Sequence, residues 1–392
     1  MENQTVHESG LDRFSRDVVR FTQETYGSHA DAVLEALPKP VKMYYVRCNT
    51  IKISPDDLLK RLKARGLEVS RHPAVPEALG IQVEGPFEVT NVNRRVWVDK
   101  LTAESVLQGA NVYAPGIIDT GLLHPGDRVT VLSEMDDVLG TGEAVMSTND
   151  ILTFRKGLAV KLVERRYRSP QIRDMTEFTE GLLYPQSLAA MITSRILDPK
   201  EDECIVDLNC SPGGKLSHMS QLLSNRGWVL GIDRNAEKVE RARQTLTRLG
   251  CSNVTLTIHD SRYVSEDLPD LKADRVLVDP PCSALGLRPK IFDATQHAKV
   301  TALADYQKQF LKSAAKIVKP GGVVVYSVCT FTLQECEEAV EFAERECGLR
   351  VVEQVPFIGS RDLRKTPKST VSCQRFDPLT DEIGYFIAKF ER

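Results

Sequence analysis

The carboxyl-terminal half of the sequence alternates short apolar runs with longer amphipathic stretches. The apolar runs are strand-sized and cover residues 204–208, 229–232, 254–258, 275–278 and 322–327. Helical patterns lie between or before them, most clearly over residues 186–197, 236–249 and 306–317. This alternation is typical of a parallel sheet with helices on both faces, because parallel strands need crossover connections. The sequence therefore predicts an α/β, doubly wound domain over residues 168–392.

The residues before this domain predict two smaller units. Residues 1–37 have apolar positions at helical spacing, and residues 41–89 combine strand-like runs with a helix that begins Ser-Pro-Asp-Asp. Residues 91–167 contain short β-branched runs broken by glycine, which favour a compact β-rich domain. A chain of 392 residues is long enough for more than one core. We expect domains at 1–90, 91–167 and 168–392.

The composition restricts the class of protein. Hydrophobic residues make up 42% of the chain and charged residues 27%, as in an ordinary soluble globular protein. The sequence contains neither a long apolar span nor the pattern of a secretory leader, so we expect a cytosolic protein. The nine cysteines form no C-x-x-C pair and no Cys/His cluster, which argues against a disulfide framework and against a structural metal.

Local charge allows a nucleic-acid partner, although the overall charge does not require one. The net charge of −3 gives no general attraction to a polyanion. Residues 155–173 carry one acid, Glu164, and seven cations: Arg155, Lys156, Lys161, Arg165, Arg166, Arg168 and Arg173. A second basic segment covers residues 361–375. From charge alone, each segment is as well explained by a solvated face as by a phosphate-binding surface.

A candidate ligand site follows the first strand of the α/β domain. The turn there has the sequence Asn209-Cys210-Ser211-Pro212-Gly213-Gly214-Lys215. Its two glycines let backbone amides approach a ligand near the start of a helix. Asp233, Asp260 and Asp279 each follow a later strand. Because ligands of open α/β sheets lie beyond the carboxyl ends of the strands, we expect these aspartates to share a site with the turn.

The motif discriminates among nucleotide ligands. A phosphate-binding loop needs GxxxxGK followed by Ser or Thr, whereas Leu216 follows Lys215 here, and the GxGxxG of NAD sites is absent. Asp233 is placed to accept hydrogen bonds from ribose hydroxyls. A ligand with an adenosine and a carboxylate but no phosphate fits best. We therefore expect S-adenosylmethionine as the cofactor.

Two cysteines follow strands at the same edge of the predicted sheet. Cys282 follows Asp279-Pro280-Pro281, and Cys329 follows the run 322–327. Either could be a buried structural cysteine, but their position beside the cofactor turn favours a catalytic pair in one crevice. An aromatic residue after Asp-Pro-Pro would suggest methylation of an exocyclic amine, and Cys282 takes that place here.

A cysteine pair suits methyl transfer to carbon 5 of cytosine. Carbon 5 is a poor nucleophile, so a thiolate must first add to carbon 6. The methylated adduct must then lose a proton and expel the thiol, which a second cysteine can assist. Asp279 could hydrogen-bond nitrogen 3 of the ring, and Lys215 could lower a thiol pKa or orient the base. This chemistry does not decide which cysteine adds to the ring.

Jointly, the motifs resemble those of the Sun-type RNA cytosine-5 methyltransferases over most of the chain. The matching segments are Tyr184-Pro185-Gln186-Ser187, Pro212-Gly213-Gly214-Lys215, Gly231-Ile232-Asp233, Asp279-Pro280-Pro281-Cys282-Ser283, Lys319-Pro320-Gly321-Gly322, Tyr326-Ser327-Val328-Cys329-Thr330 and Gly384-Tyr385-Phe386-Ile387-Ala388. The resemblance implies a Rossmann-like fold, Cys329 as the nucleophile and Cys282 as the residue that assists release.

The resemblance also implies a set of cofactor contacts. These are the turn residues Asn209, Cys210, Ser211, Pro212, Gly213, Gly214 and Lys215, together with Asp233, Asp260 and Asp279. The family usually has Cys where this chain has Asn209, and Ala-Ala where it has Cys210-Ser211. We expect little loss from the change at Asn209, because that position contributes mainly its backbone.

The β-rich segment resembles a PUA domain, a small barrel that binds RNA, through residues 103–112 and 114–117. Such an insert after Arg47-Cys48-Asn49-Thr50 resembles the subfamily that acts on tRNA, which implies a tRNA acceptor end as substrate. The basic segment 155–173 could then hold backbone phosphates. We expect no membrane and no obligate protein partner.

Three other interpretations stay open at this point. The substrate could be a ribosomal RNA, the target could be an exocyclic nitrogen, or the chain could be an RNA-binding assembly factor whose methyltransferase domain is only a scaffold. The last of these is disfavoured because four residues are retained together: Lys215, Asp279, Cys282 and Cys329.

Overall fold

The computed structural model describes residues 10–361, 372–380 and 383–392, and it begins with two helices followed by a small α/β unit. The elements are α1 (Arg16–Tyr26), α2 (Ala30–Ala36), β1 (Met43–Cys48), α3 (Pro55–Ala64), β2 (Val69–His72) and β3 (Val75–Gln82). Ser54 caps α3, since its hydroxyl accepts a hydrogen bond of 3.1 Å from the amide of Asp57. The predicted helix at Ser-Pro-Asp-Asp is confirmed.

A six-stranded sheet with two helices follows. Its elements are β4 (Arg95–Val98), α4 (Lys100–Leu107), β5 (Val112–Tyr113), β6 (Ile117–Thr120), β7 (Arg128–Ser133), β8 (Val138–Ala144), α5 (Thr148–Phe154) and β9 (Leu158–Arg165). The strand order is β5-β9-β8-β7-β4-β6. Helix α5 was not predicted, although Ser147 and Asp150 form a capping box at its start. The expected β-rich character of this part is confirmed.

The rest of the described chain alternates strands and helices. The elements are α6 (Thr176–Thr179), β10 (Leu183–Pro185), α7 (Leu188–Leu197), β11 (Cys204–Asp207), α8 (Gly214–Leu222), β12 (Trp228–Asp233), α9 (Ala236–Leu249), β13 (Val254–Ile258), α10 (Val264–Asp267), β14 (Ala273–Val278), α11 (His297–Ile317), β15 (Val318–Val328), α12 (Glu337–Cys347), β16 (Arg350–Val351), β17 (Gln374–Phe376) and β18 (Tyr385–Glu391). The predicted α/β alternation is confirmed.

Most of these strands form one large sheet with the order β13-β12-β11-β14-β15-β18-β16, and β17 pairs with β18. The first five strands in this order, β13, β12, β11, β14 and β15, are parallel to one another. Strand β18 runs antiparallel to β15. The order reverses between β11 and β14, and this reversal is the usual ligand position in such a sheet. The loops after β11, β14 and β15 therefore meet at one crevice.

The starts of two elements differ most from those predicted. Helix α11 begins at His297, not at residue 306, and β15 begins at Val318, not at residue 322. The early start of α11 depends on Val300, which is fully buried in a cluster with Phe21 and Phe331. Those partners lie far away in sequence, so the local pattern could not predict the part of α11 that precedes residue 306.

The three parts of the chain are packed together through specific contacts. Strand β10 pairs with β1, so a segment within the predicted 168–392 domain completes the amino-terminal sheet. Ile291, from the catalytic part, is buried in the core of the β-rich part. Arg13 pairs with Asp137 at 2.7 Å and so connects the amino terminus to the β-rich part. The domain boundaries at 90 and 167 stay a prediction.

Candidate active site

The turn after β11 forms one wall of a cavity of about 300 Å³ at the crevice. Gly213 has φ +96° and directly precedes α8, whose amino terminus faces the turn. Asn209 and Ser211 line the cavity, whereas the side chain of Cys210 is buried in the hydrophobic core. Pro212 is exposed. The turn therefore offers its backbone and the Asn209 side chain to a ligand.

The strand-end aspartates Asp233, Asp260 and Asp279 line the same cavity. Asp233 uses one carboxylate oxygen to accept the Asn235 amide at 3.0 Å. Beneath the turn, burial raises the pKa of Asp207 to about 7, and Asp207 accepts the amide of Asn209 at 3.0 Å. Asp207 is thus a buried support of the turn.

Asp260 is held by its neighbour Arg262. Both oxygens of Asp260 accept from the guanidinium, at 2.9 and 2.6 Å, and this pairing lowers the pKa of Asp260. The same guanidinium lies 4.9 Å from the centre of the Tyr306 ring, which lines the cavity. Tyr306 and Arg234 also line the cavity, but the sequence did not predict either of them. For Arg234, its position directly after Asp233 could have indicated a place in the site.

The two cysteines come together at the other side of the cavity. Cys282 follows β14, Cys329 follows β15, and their sulfur atoms lie 3.3 Å apart. The loop after Cys282 also closes on Cys329, since the Gly286 amide donates to the Cys329 carbonyl at 3.1 Å. Gly286 must be glycine, because an added Cβ would lie 1.9 Å from the carbonyl oxygen of Gly384. The backbone therefore fixes both thiols in one place.

The surroundings of the two thiols differ. The pKa of Cys282 is raised well above its ordinary value by its hydrogen bond to Cys329, by burial and by the nearby Glu335. The pKa of Cys329 is lowered, chiefly because Cys282 donates to it and also because Lys215 is near. These shifts favour Cys329 as the sulfur that ionises first and Cys282 as the one that keeps its proton.

Lys215 and Asp279 form an ion pair of 2.6 Å at the edge of the same cavity. The other oxygen of Asp279 accepts from the hydroxyl of Ser327 at 2.8 Å and from that of Tyr385 at 3.4 Å. Burial opposes the charge of Lys215, but Asp279 and Tyr385 raise its pKa above the ordinary value. A positive charge is therefore fixed close to Cys329.

A buried carboxylate lies behind both cysteine loops. Glu335 is fully buried and accepts from the Ser283 amide at 2.8 Å and from the Gln307 amide group at 2.9 Å. Its second oxygen accepts the hydroxyl of Thr332 at 2.9 Å. Because Ser283 follows Cys282 and Thr332 lies three residues after Cys329, Glu335 connects the two loops.

The cavity fits the expected cofactor. The side-chain oxygen of Asn209 is buried in its wall and accepts no hydrogen bond from the described residues. Buried polar atoms are normally paired, so this oxygen is suited to a donor on a ligand. Asp233 keeps a carboxylate oxygen for ribose hydroxyls. Three carboxylates line the cavity beside two cations, Arg234 and Lys238, a balance that suits S-adenosylmethionine, which carries no phosphate.

The basic segments contribute less than their charge suggests. Arg155 donates to the carbonyls of Ile117 and Pro115, and Arg165 donates to Ala110 and Asn111, so both stabilise the β-rich part itself. In the second segment, residues 362–371 lie outside the described residues. Arg375 is buried and paired with Glu337 at 2.5 Å, so it is a structural residue and is not available to RNA.

Known protein families match three stretches of the sequence. Residues 194–391, half of the chain, match the family described as 16S rRNA methyltransferase RsmB/F. Residues 94–165 match the PUA domain. Residues 18–90 match the ferredoxin-like domain of RsmF/B-like methyltransferases.

Curated relatives cover the whole chain. A protein of Pyrococcus horikoshii named tRNA (cytosine(72)-C(5))-methyltransferase is 37% identical, over 97% of this chain and 98% of its own. The chain belongs to the RsmB/F family of RNA cytosine-5 methyltransferases. Human NSUN6, which carries the same tRNA name, is 29% identical to this RsmB/F member over 92% of the chain and 90% of its own. A human 28S rRNA (cytosine(4447)-C(5))-methyltransferase is 32% identical, over 67% of this chain and 36% of its own.

Solved structures agree with this placement. The crystal structure of NSun6 from Pyrococcus horikoshii with SFG, an S-adenosylmethionine analogue, superposes with a TM-score of 0.89 at 36% identity, over 97% of this chain and 99% of that one. A methyltransferase homologue from the same organism shares the fold, with a TM-score of 0.66 at 22% identity. The predicted fold class, cofactor and RNA substrate class are confirmed for this RsmB/F member. No helix among the described residues is long and apolar enough to span a bilayer.

Proposed function

We propose that this enzyme forms 5-methylcytosine in the acceptor end of a tRNA through a covalent bond between Cys329 and the base. The observation that carries the chemistry is the 3.3 Å separation of the Cys282 and Cys329 sulfurs beside the cavity that Asp233 and Asp260 line. The choice of tRNA is supported by end-to-end similarity to proteins named for cytosine 72 of tRNA.

We assign the cofactor to the cavity between the turn and the cysteines. Asp233 would accept hydrogen bonds from the ribose, Asn209 would accept one through its buried oxygen, and the backbone of the turn would hold the methionine part. Bound S-adenosylmethionine supplies an electrophilic methyl group. Asp260, already paired with Arg262, would contribute one side of the cavity near the adenine.

Cys329 begins the reaction as a thiolate. Its sulfur bonds to carbon 6 of cytosine, and the electron pair of the 5,6 double bond moves toward carbon 5. Nitrogen 3 would take up a proton from solvent as the thiolate adds, and Asp279 would accept a hydrogen bond from that N–H and so stabilise the charge that develops on the ring. Carbon 5 would then take the methyl group from the sulfonium, whose electron pair stays on the cofactor sulfur as a neutral thioether, and would keep its own proton until the next step.

Release reverses the addition. A general base, which we assign to a solvent water molecule, would take the proton from carbon 5, and the electron pair of that bond would restore the 5,6 double bond while nitrogen 3 returns its proton to solvent. The bond between carbon 6 and sulfur breaks, and its electron pair leaves on Cys329. Cys282 would donate its S–H to this sulfur, which stabilises the thiolate as it leaves.

The base must leave its stack to reach the thiols, as base-modifying enzymes require. We assign the grip on the RNA to the β-rich part. A cavity of about 460 Å³ lies between that part and the amino-terminal sheet, and it is lined by Tyr44, Gln108, Asn111 and Arg173 among others. Exposed Lys156 and Lys161 are the members of the basic segment that we assign to phosphates.

Bisulfite sequencing of tRNA incubated with enzyme and S-adenosylmethionine tests the substrate. We expect one cytosine in the acceptor end to resist conversion, and none in an equal amount of ribosomal RNA. A signal confined to ribosomal RNA would refute the choice of tRNA and leave the chemistry intact.

Trapping of the protein–RNA adduct tests the chemistry. Cys282→Ala should accumulate an adduct that survives denaturing electrophoresis, and Cys282→Ala combined with Cys329→Ala should form none. Cys347→Ala, which removes a thiol outside the cavity, serves as the matched control. Methyl transfer without any adduct in the Cys282→Ala variant would favour an exocyclic nitrogen. Absence of both methyl transfer and adduct in the parent protein and in all variants would favour an RNA-binding assembly factor whose methyltransferase domain is only a scaffold.

A further inference from the structure

Arg47 is a fully buried arginine between the amino-terminal sheet and the catalytic part. It belongs to β1, and only 1% of its surface is exposed. Its side chain crosses the interface and ends at the first turn of α8, directly after the cofactor turn. The reaction steps derived above do not use this residue.

The guanidinium of Arg47 binds three neutral acceptors. One nitrogen donates to the side chain of Gln186 at 2.5 Å and to the Gly214 carbonyl at 2.6 Å. The other donates to the Ser217 hydroxyl at 2.7 Å. The guanidinium also lies 5.3 Å from the centre of the Tyr184 ring. Within the described ranges, no carboxylate forms an ion pair with it.

This placement is unfavourable for stability alone. Burial lowers the pKa of Arg47 to about 10, so the group remains charged near neutral pH. A buried charge without an ionic partner costs free energy, and a cation at the amino-terminal end of a helix adds to that cost. The hydrogen bonds to α8 are therefore the feature that needs a functional reason.

Those hydrogen bonds fix the point where the cofactor turn becomes a helix. Gly213 has a positive φ, and Gly214 is packed so closely that an added Cβ would lie 2.9 Å from the Tyr184 ring. Arg47 holds the carbonyl of Gly214 from behind, while Lys215, the next residue, is held by Asp279 on the cavity side. The first turn of α8 is thus clamped from two sides.

We propose that Arg47 is a positioning residue for the cofactor turn, so that the amino-terminal sheet sets the affinity of the catalytic part for S-adenosylmethionine. The proposal rests on the cofactor of the proposed function and not on the identity of the RNA. Arg47 acts through Gly214 and Ser217 and does not line the cavity.

A matched control is available in the same interface. Glu77 is 2% exposed, lies on β3 and binds Arg195 of α7 and His218 of α8. It therefore joins the same two parts of the chain but does not touch Gly214 or Ser217. A general loosening of the interface should follow from Glu77→Gln as well as from Arg47→Met, whereas a specific effect on the turn should follow only from Arg47→Met.

The experiment measures S-adenosylmethionine binding by calorimetry on the full chain without RNA, together with urea unfolding of each variant. We expect Arg47→Met to weaken binding at least tenfold and Glu77→Gln to weaken it less than threefold at a comparable loss of stability. Unchanged affinity in folded Arg47→Met, or equal weakening in both variants, would overturn the proposal. Because no RNA is present, the result is independent of whether tRNA is the substrate.

Arg47→Lys decides the question if Arg47→Met does not fold. Lysine keeps the charge but cannot reach all three acceptors with one planar group. We expect binding three- to tenfold weaker than in the parent protein, with faster hydrogen exchange at the amides of Ser217 and His218. Parent-like affinity together with parent-like exchange at these amides would contradict a positioning role.

Discussion

The hydroxyl groups of Ser283 and Thr330, the residues that directly follow Cys282 and Cys329, lie 2.7 Å apart. Both side chains are buried, and Glu335 binds the same two loops from behind. The two cysteine loops are therefore held together by a polar network that does not line the cavity.

This network predicts a positional defect in Glu335→Gln. In this variant the side-chain NH2 group of glutamine would face one of the N–H or O–H donors that now bind the carboxylate. Two donors cannot hydrogen-bond each other, and an unpaired buried polar group costs about 1–3 kcal/mol. We expect that loss in urea unfolding, and at least a tenfold lower kcat with unchanged affinity for S-adenosylmethionine. Glu338→Gln, at an exposed neighbour, should change neither quantity. A parent-like kcat in folded Glu335→Gln would contradict the prediction.

Lys215 should control the reactivity of Cys329. Removing its charge in Lys215→Met leaves Asp279 unopposed, and both changes raise the pKa of Cys329. Alkylation of Cys329 by iodoacetamide, followed across pH by mass spectrometry, should then shift to higher pH. Lys238→Met, at an exposed lysine of the cavity wall, is the control and should leave the profile in place. An unshifted profile in Lys215→Met would exclude this electrostatic role.

Asn209 offers a test of the cofactor fit. Its buried side-chain oxygen lacks a partner among the described residues, and one ordinary hydrogen bond contributes about 0.5–1.5 kcal/mol. Asn209→Ala should therefore weaken S-adenosylmethionine binding by about two- to tenfold. Ser211→Ala is the control, since the Ser211 hydroxyl already donates to the Lys238 carbonyl at 3.1 Å. Equal affinities would mean that position 209 contributes only its backbone, as the sequence suggests.

His218 makes stability depend on pH. Burial lowers its pKa from 6.5 to about 4, so the folded protein holds the neutral ring while the unfolded chain takes up a proton below pH 6.5. The stability contributed by the neutral ring is complete above pH 6.5 and is lost as pH falls toward 4, by up to about 3 kcal/mol. Urea unfolding of the parent and His218→Gln should show this difference. His124→Gln, at an exposed ring, should follow the parent curve.

Local patterns predicted much of the catalytic part. The cofactor turn, the acids at strand ends and the two cysteines all follow apolar runs, and the carboxyl ends of parallel strands meet at one edge. Strand β13 and helix α9 have the predicted bounds because their signals lie within their own residues.

The features that the sequence could not predict depend on distant partners. Strand β10 is only three residues long and exists because β1 pairs with it. The start of α11 depends on the amino-terminal helices, and Arg375 is buried because Glu337 meets it. Arg47 looks like an ordinary strand residue until β1 is placed against α8.

The burial of Ile291 in the core of the β-rich part has a consequence for target choice. Ile291 lies nine residues after Cys282, whose sulfur is 3.3 Å from that of Cys329, so one short, anchored stretch of chain separates the β-rich part from the two thiols. Under the proposed function, in which the β-rich part holds the end of the RNA, this fixed spacing would select the target cytosine by its distance from that end, with little dependence on the neighbouring bases.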